Sequence, residues 1–156
     1  MKKVDINTLL LIAGGIIAIR LGGKLFETLG ISQSAADRSL MDAQSNPDSF
    51  WNPLFWDTTR KRSGKAMLLK TAQMSKMWDD LNNAFSWYSD AEDAAISVFK
   101  VNIKFQTQLS FFSWYVQREK GVDLITWLAG GSWPNDRLDA NEINIITNYV
   151  KSLPVT

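Results

Sequence analysis

The chain has 156 residues, enough for one domain and an appendage, with 17 basic and 16 acidic side chains and a net charge of +1. It has no cysteine and no histidine, which excludes disulfides, thiolate chemistry, Ser-His-Asp and Cys-His catalysis and the usual zinc sites. Up to Gly64 there are 8 basic and 6 acidic residues, and from Lys65 onward 9 and 10, so neither part is a polycation and no specific nucleic-acid partner is expected. The aromatic load, 7 Trp and 8 Phe, points instead to a core, an interface or a membrane boundary.

Ile6 to Ile19 is a run of 14 residues without a charge, and apolar character resumes at Leu21, Leu25, Phe26, Leu29 and Ile31. A bilayer core needs about 20 helical residues, so residues 1–31 read as a tilted anchor helix. Arg20 and Lys24, four apart, would then snorkel to the headgroups. Gly14, Ala18 and Gly22 share one helical face, with Gly15 and Gly23 beside them. This is the small-xxx-small pattern of close helix contacts in membranes, and it allows a homo-oligomer through the anchor. A buried core helix and a secretory signal are the alternatives, although no small-x-small cleavage site precedes Arg20. Positive charges flank the run on both sides and select no topology.

Residues 32–64 read as a linker, first polar and then rich in aromatics. Pro47 and Pro53 interrupt regular structure, yet Phe50, Trp51, Leu54, Phe55 and Trp56 cluster there. Such a cluster packs back on the domain, docks a protein, or lies at the membrane interface with Arg60, Lys61 and Arg62 against anionic lipid.

Residues 65–156 read as a helical bundle. Met67, Met74, Trp78, Leu81 and Phe85 form an apolar stripe that predicts a helix from Lys65 to about Trp87. Ser89-x-x-Glu92 is a capping box for a second helix, with Ala95, Ile96 and Phe99 inward. A third helix is expected from Thr107 to Lys120 with Leu109, Phe112 and Val116 inward and Gly121 as its stop. Phe111, Trp114 and Tyr115 widen its apolar surface. Asp123 caps a short helix with Leu124, Trp127 and Leu128, ended by Gly130-Gly131. Asp139-x-x-Glu142 opens a last helix with Ile143, Ile146, Tyr149 and Val150, closed before Pro154. No run alternates with period two. The expected fold is all-α: an N-terminal transmembrane helix, a linker and a bundle of about five helices.

A glutamate acid in a cleft could cleave glycosidic bonds, and the chain has four glutamates. Glu92 and Glu142 occupy capping positions, Glu119 neighbours Lys120, and none, Glu27 included, stands in the Glu-Ser helix-start context of lysozyme-like transglycosylases. The oxygen-rich stretch Asn135 to Glu142 lacks the ligand spacing and central glycine of an EF-hand. The glycine pairs lack the Lys-Ser/Thr of a phosphate loop. No catalytic residue, metal site or cofactor is expected, and the chain reads as a non-enzyme.

Ala94 to Pro154 carries Ile96-Ser97-Val98-Phe99-Lys100, Thr107-Gln108-Leu109-Ser110, Gly121-Val122-Asp123-Leu124 with Trp127-Leu128, Trp133-Pro134-Asn135-Asp136-Arg137-Leu138 and Tyr149-Val150-Lys151-Ser152-Leu153-Pro154. This pattern resembles a small helical module in virion proteins of bacteriophages of Bacteroidetes-type hosts. With an N-terminal anchor it is most similar to membrane-anchored proteins of tailless, membrane-containing icosahedral phages, the FLiP-like group. The resemblance implies a structural protein of the virion's internal membrane, passing through the host inner membrane during assembly. It would tether bilayer to capsid or vertex proteins. The docking surface expected from the aromatic residues is Trp51, Phe55, Trp56, Phe111 and Trp114. A membrane-tethered glycan-cleaving enzyme is the alternative.

Overall fold

The computed structural model describes residues 45–86, 91–129 and 137–156. The anchor, with its contact positions Gly14, Gly15, Ala18, Gly22 and Gly23 and the headgroup residues Arg20 and Lys24, lies outside the described residues, as do Ser89, Gly130-Gly131 and Asn135-Asp136. Among the described residues every regular element is a helix: α1 Phe55–Ser63, α2 Thr71–Ala84, α3 Ala91–Asn102, α4 Gln106–Lys120, α5 Leu124–Ala129 and α6 Ala140–Lys151. The all-α expectation holds there. None of these helices is long and apolar enough to cross a membrane.

The central element is α4, which packs against α1, α2, α5 and α6. Its buried side chains run from Thr107 through Leu109, Phe112 and Val116, and Gly121 stops it in the left-handed region at φ 70°. A residue with a Cβ is strained in that conformation. Its start is capped from two directions. Gln108 Oε1 accepts the Lys104 N–H at 2.8 Å, while the Gln106 and Thr107 N–H groups donate to the Pro154 and Val155 carbonyls at 2.9 and 3.3 Å. The C-terminal segment therefore satisfies donors that the first turn of α4 leaves open.

α2 contributes Met74, Met77 and Leu81, α3 contributes Ala95, Ile96 and Phe99, and α6 contributes Ile143, Ile146 and Val150, all buried. These are the apolar periodicities of the sequence. Tyr149 Oη lies 2.9 Å from the Lys100 carbonyl and 2.8 Å from that of Ile103, so its single proton ties α6 to the end of α3. The Asp139 capping box forms as expected: Asp139 Oδ1 accepts from the Asn141 and Glu142 N–H groups, and Glu142 Oε2 accepts from the Asp139 N–H. Asp123 Oδ1 likewise accepts the Thr126 N–H at the start of α5.

One expectation is met upstream and one is corrected. The aromatic cluster packs back on the domain, one of the three fates expected of it: Trp51 is 1% exposed, and its Nε1 donates to Thr147 Oγ1 of α6 at 3.1 Å. Pro47 and Pro53 interrupt regular structure as expected, lying in the turns that precede α1. Pro53 stands just before α1, where a missing N–H costs nothing. The correction is that the helix expected from Lys65 starts at Thr71. Gly64 terminates α1 at φ 75°, donating to the Arg60 carbonyl, and the chain then crosses α4 without helical turns. Thr107 Oγ1 holds that crossing through the Met67 carbonyl at 2.9 Å. Leu69 takes the buried place expected of Met67, which is 46% exposed. At Lys70 only half a capping box forms, Gln73 Oε1 accepting the Lys70 N–H, because an ammonium side chain has no acceptor to offer in return.

Candidate docking surface

One hydroxyl sets the geometry of α1 on α4. Ser110 Oγ donates to the Asn52 carbonyl at 2.6 Å and accepts the Trp56 N–H at 3.0 Å. The residue before α1, Leu54, has no side chain that can cap it, so Ser110 does so from the neighbouring helix. Trp56 is thereby held against Phe111 and Trp114.

The three rings form one cluster. Trp56 meets Phe111 edge-on at 5.0 Å between centroids and Trp114 at 6.0 Å, while Phe111 and Trp114 stack at 5.2 Å with planes 9° apart. These are the separations and tilts that aromatic quadrupoles favour. Guanidinium groups cover both ends: Arg60 lies over Trp56 and Arg118 over Trp114, each at 5.1 Å from the centroid. Each pair is spaced i, i+4 on its own helix, so the same Trp-x-x-x-Arg pattern occurs once on α1 and once on α4. The rings are half-buried and both arginines exposed. The Trp56 Nε1–H is buried and has no hydrogen-bond partner among the described residues.

Charge on this surface is predominantly positive. α1 carries Arg60, Lys61 and Arg62 against Asp57, with Lys65 just beyond. Asp57 bonds Arg60 at 2.7 Å and Lys61 at 2.6 Å, and the Lys61 hydrogen bond foremost holds its carboxyl below the ordinary range. Arg62 pairs with Asp48 at 2.8 Å. The contact of Arg118 with Glu119, 3.4 Å, is longer than a charge-assisted bond.

Of the residues expected to dock a partner, the structure brings Trp56, Phe111 and Trp114 together, and Phe55 is half-buried on α1. Trp51 is withdrawn from that set, because its ring fills the core. Arg60, expected at lipid headgroups with Lys61 and Arg62, stacks on Trp56 and so joins the aromatic surface. Arg118 went unnoticed in the sequence, although its spacing from Trp114 was a legible signal.

A second cluster was also missed. Trp127 packs on Trp78 at 4.5 Å and on Phe85 at 5.6 Å, while Arg137 covers Trp127 at 4.4 Å and donates to its carbonyl at 2.7 Å. Burial lowers the pKa of Arg137. Lys120 adds a cation 5.9 Å from Trp78. Here the arginine is engaged in holding α5 to the segment before α6.

Glu92 and Glu119 are exposed, Glu142 is occupied by its cap, and among the described residues no three acidic side chains are placed to hold a metal ion. Burial raises the pKa of Glu142, with the negative charges of Asp139, Glu92 and Asp93 adding to it. Burial also raises that of Asp123 against the hydrogen bonds of its cap.

No protein family model, curated protein or solved structure matches this chain.

Proposed function

We propose that the protein is a non-enzymatic tether, held in a bilayer by its N-terminal segment and docking a protein partner through the α1–α4 aromatic surface. In the virion setting that the sequence resembles, the bilayer is the internal membrane and the partner a capsid or vertex protein. The observation that carries the reading is the cluster of Trp56, Phe111 and Trp114 between Arg60 and Arg118. Tryptophan and arginine are the side chains that dominate binding energy at protein interfaces. Trp51, Ser110 and the C-terminal segment fix this surface on the bundle, which lowers the ordering cost of binding. The uncharged run Ile6 to Ile19, continued by Leu21, Leu25, Phe26, Leu29 and Ile31, supplies the apolar length for the bilayer limb.

The docking limb is tested by crosslinking in assembled particles. A photoreactive phenylalanine analogue in place of Phe111 should give adducts with a capsid or vertex protein. The same group in place of Val101, which is 65% exposed on α3, should give none. Equal adducts from both positions, or none from position 111, would count against the reading.

A further inference from the structure

Several segments converge at one end of the bundle. The Thr107 hydroxyl, at the start of α4, donates to the Met67 carbonyl of the crossing before α2, and the Thr107 N–H donates to the Val155 carbonyl. Tyr149 Oη, in the last turn of α6, lies against the Lys100 and Ile103 carbonyls at the end of α3. Residues 65–70, 98–107 and 149–156 form this pole. They include Lys65, Lys70, Lys100, Lys104 and Lys151 and no Asp or Glu. All five lysines are exposed, and none forms an ion pair among the described residues. Cations favour helix C-termini, which accounts for Lys100 and Lys151. Helix stability does not account for Lys65, nor for Lys70, which stands at the α2 N-terminus where a cation is disfavoured.

Of the seven exposed large apolar side chains among the described residues, four are at this pole: Met67, Leu68, Val101 and Val155. They are unbranched or aliphatic tips from three segments, interspersed with the lysines, and the pole has no Trp or Arg. Protein hot spots favour Trp and Arg, which this chain places on the α1–α4 surface. Dispersed aliphatic tips between lysine stems suit the headgroup layer, where the stems lie on apolar surface and the ammonium groups reach phosphate. The chain also enters the domain here. Asp48 pairs with Arg62 at 2.8 Å in the last turn of α1, which leads through Gly64 into Lys65. Residues 32–44 join that entry to the anchor, at most about 45 Å of extended chain, so the pole is held at high effective concentration beside the lipid.

We infer that this lysine pole lies on the anionic surface of the bilayer that holds the anchor, with Met67, Leu68, Val101 and Val155 entering the interface. This rests on the tether reading above and adds which face of the domain meets lipid. Because α4 begins at this pole, Phe111, Trp114 and Arg118 lie progressively farther from the membrane, toward the partner.

The chain has no cysteine, so Met67→Cys, Val101→Cys and Val122→Cys each give one site for a fluorescent label. Val122, exposed beyond the far end of α4, is the control. The full chain is bound to vesicles of phosphatidylcholine and phosphatidylglycerol that carry a nitroxide-labelled lipid. Labels at positions 67 and 101 should lose fluorescence to the nitroxide, and the label at 122 should keep it. Lys65→Glu with Lys70→Glu should lower the ratio of docked to undocked pole at least about 10-fold, read as recovered fluorescence at position 101. A carboxylate at position 70 suits the start of α2, so this variant keeps the fold. Vesicles of phosphatidylcholine alone should give the same recovery. Quenching at 67 and 101 no greater than at 122 would overturn the proposal. Full quenching in the double glutamate variant, or on phosphatidylcholine alone, would overturn it too, since anionic lipid would then play no part. Label signals at 67 and 101 that change with protein concentration in neutral detergent micelles would assign the pole to a second copy, with the same consequence. A chain that does not float with the vesicles defeats the tether and this inference together, whereas one that floats with its pole unquenched defeats this inference alone.

Discussion

Ser110 caps a helix to which it does not belong: its Oγ accepts the Trp56 N–H at 3.0 Å while donating to the Asn52 carbonyl at 2.6 Å. Asn52 is on the segment leading into α1 and Trp56 is in its first turn, and Ser110 itself is fully buried. Ser110→Ala leaves the Trp56 N–H without the oxygen it donates to, while the Asn52 carbonyl keeps the Phe55 N–H at 3.1 Å. The expected loss is about 1–3 kcal/mol, the cost of an unmade buried bond. Denaturant titration followed by far-UV circular dichroism measures it. A loss below about 0.5 kcal/mol, the level of an ordinary surface substitution, would mean that Ser110 does not hold α1.

Trp51 and Trp56 make opposite uses of the indole N–H. That of Trp51 donates to Thr147, and that of Trp56 has no partner among the described residues. Thr147→Val should therefore destabilise by about 1–3 kcal/mol by orphaning the Trp51 donor. Trp56→Phe removes a buried donor that makes no bond, so its loss should be smaller than that of Trp51→Phe. Equal losses for the two tryptophan substitutions, measured by the same titration, would contradict the assignment.

The C-terminal segment closes the start of α4 through the Pro154 and Val155 carbonyls and the Leu153 carbonyl, which accepts from Gln106 Nε2 at 2.8 Å. Removing residues 153–156 should expose the Gln106 and Thr107 amides and speed their hydrogen exchange, leaving that of the α2 core slow. Unchanged exchange at both amides would show that the segment is dispensable.

The pKa of Asp123 is raised, chiefly by burial. The folded state then binds more protons than the unfolded state just above the ordinary aspartate value of 3.8, so this group makes stability fall as pH rises through that window. Asp123→Asn keeps a side-chain oxygen for the Thr126 N–H but cannot ionise. Its stability should lose that part of the acid slope, compared with the parent by denaturation at pH steps from about 4 upward. An identical slope would place the titration elsewhere.

Much of the bundle was legible because its signals are local. Gly121 stops α4, Asp139 with Glu142 opens α6, and the apolar spacing of α2 from Met74 to Leu81 gives its buried face. α1 was not legible, because what fixes it comes from distant parts of the chain: Ser110 lies 54 residues from Trp56, and Thr147 lies 96 from Trp51. Two prolines and the polar stretch before them read as a linker, and local propensity cannot register bonds of that range. Met67 misled for a related reason. It falls on the helical stripe, but the Gly64 stop and the Thr107 bond put the chain in another conformation. In the docking surface the aromatic members were visible by composition. The arginines that finish it needed the i, i+4 spacing of Trp56 with Arg60 and Trp114 with Arg118 to be read as a repeated pattern.

The tether itself is tested most directly by flotation. The full chain and a version beginning at Ser32 are mixed with liposomes, washed at high salt and centrifuged through a density gradient. The account predicts that the full chain rises with the lipid and the shorter one stays below, since the salt wash screens headgroup attraction and leaves only apolar insertion. If both stay below, Ile6 to Ile19 does not anchor the protein and the bilayer limb of the function is contradicted.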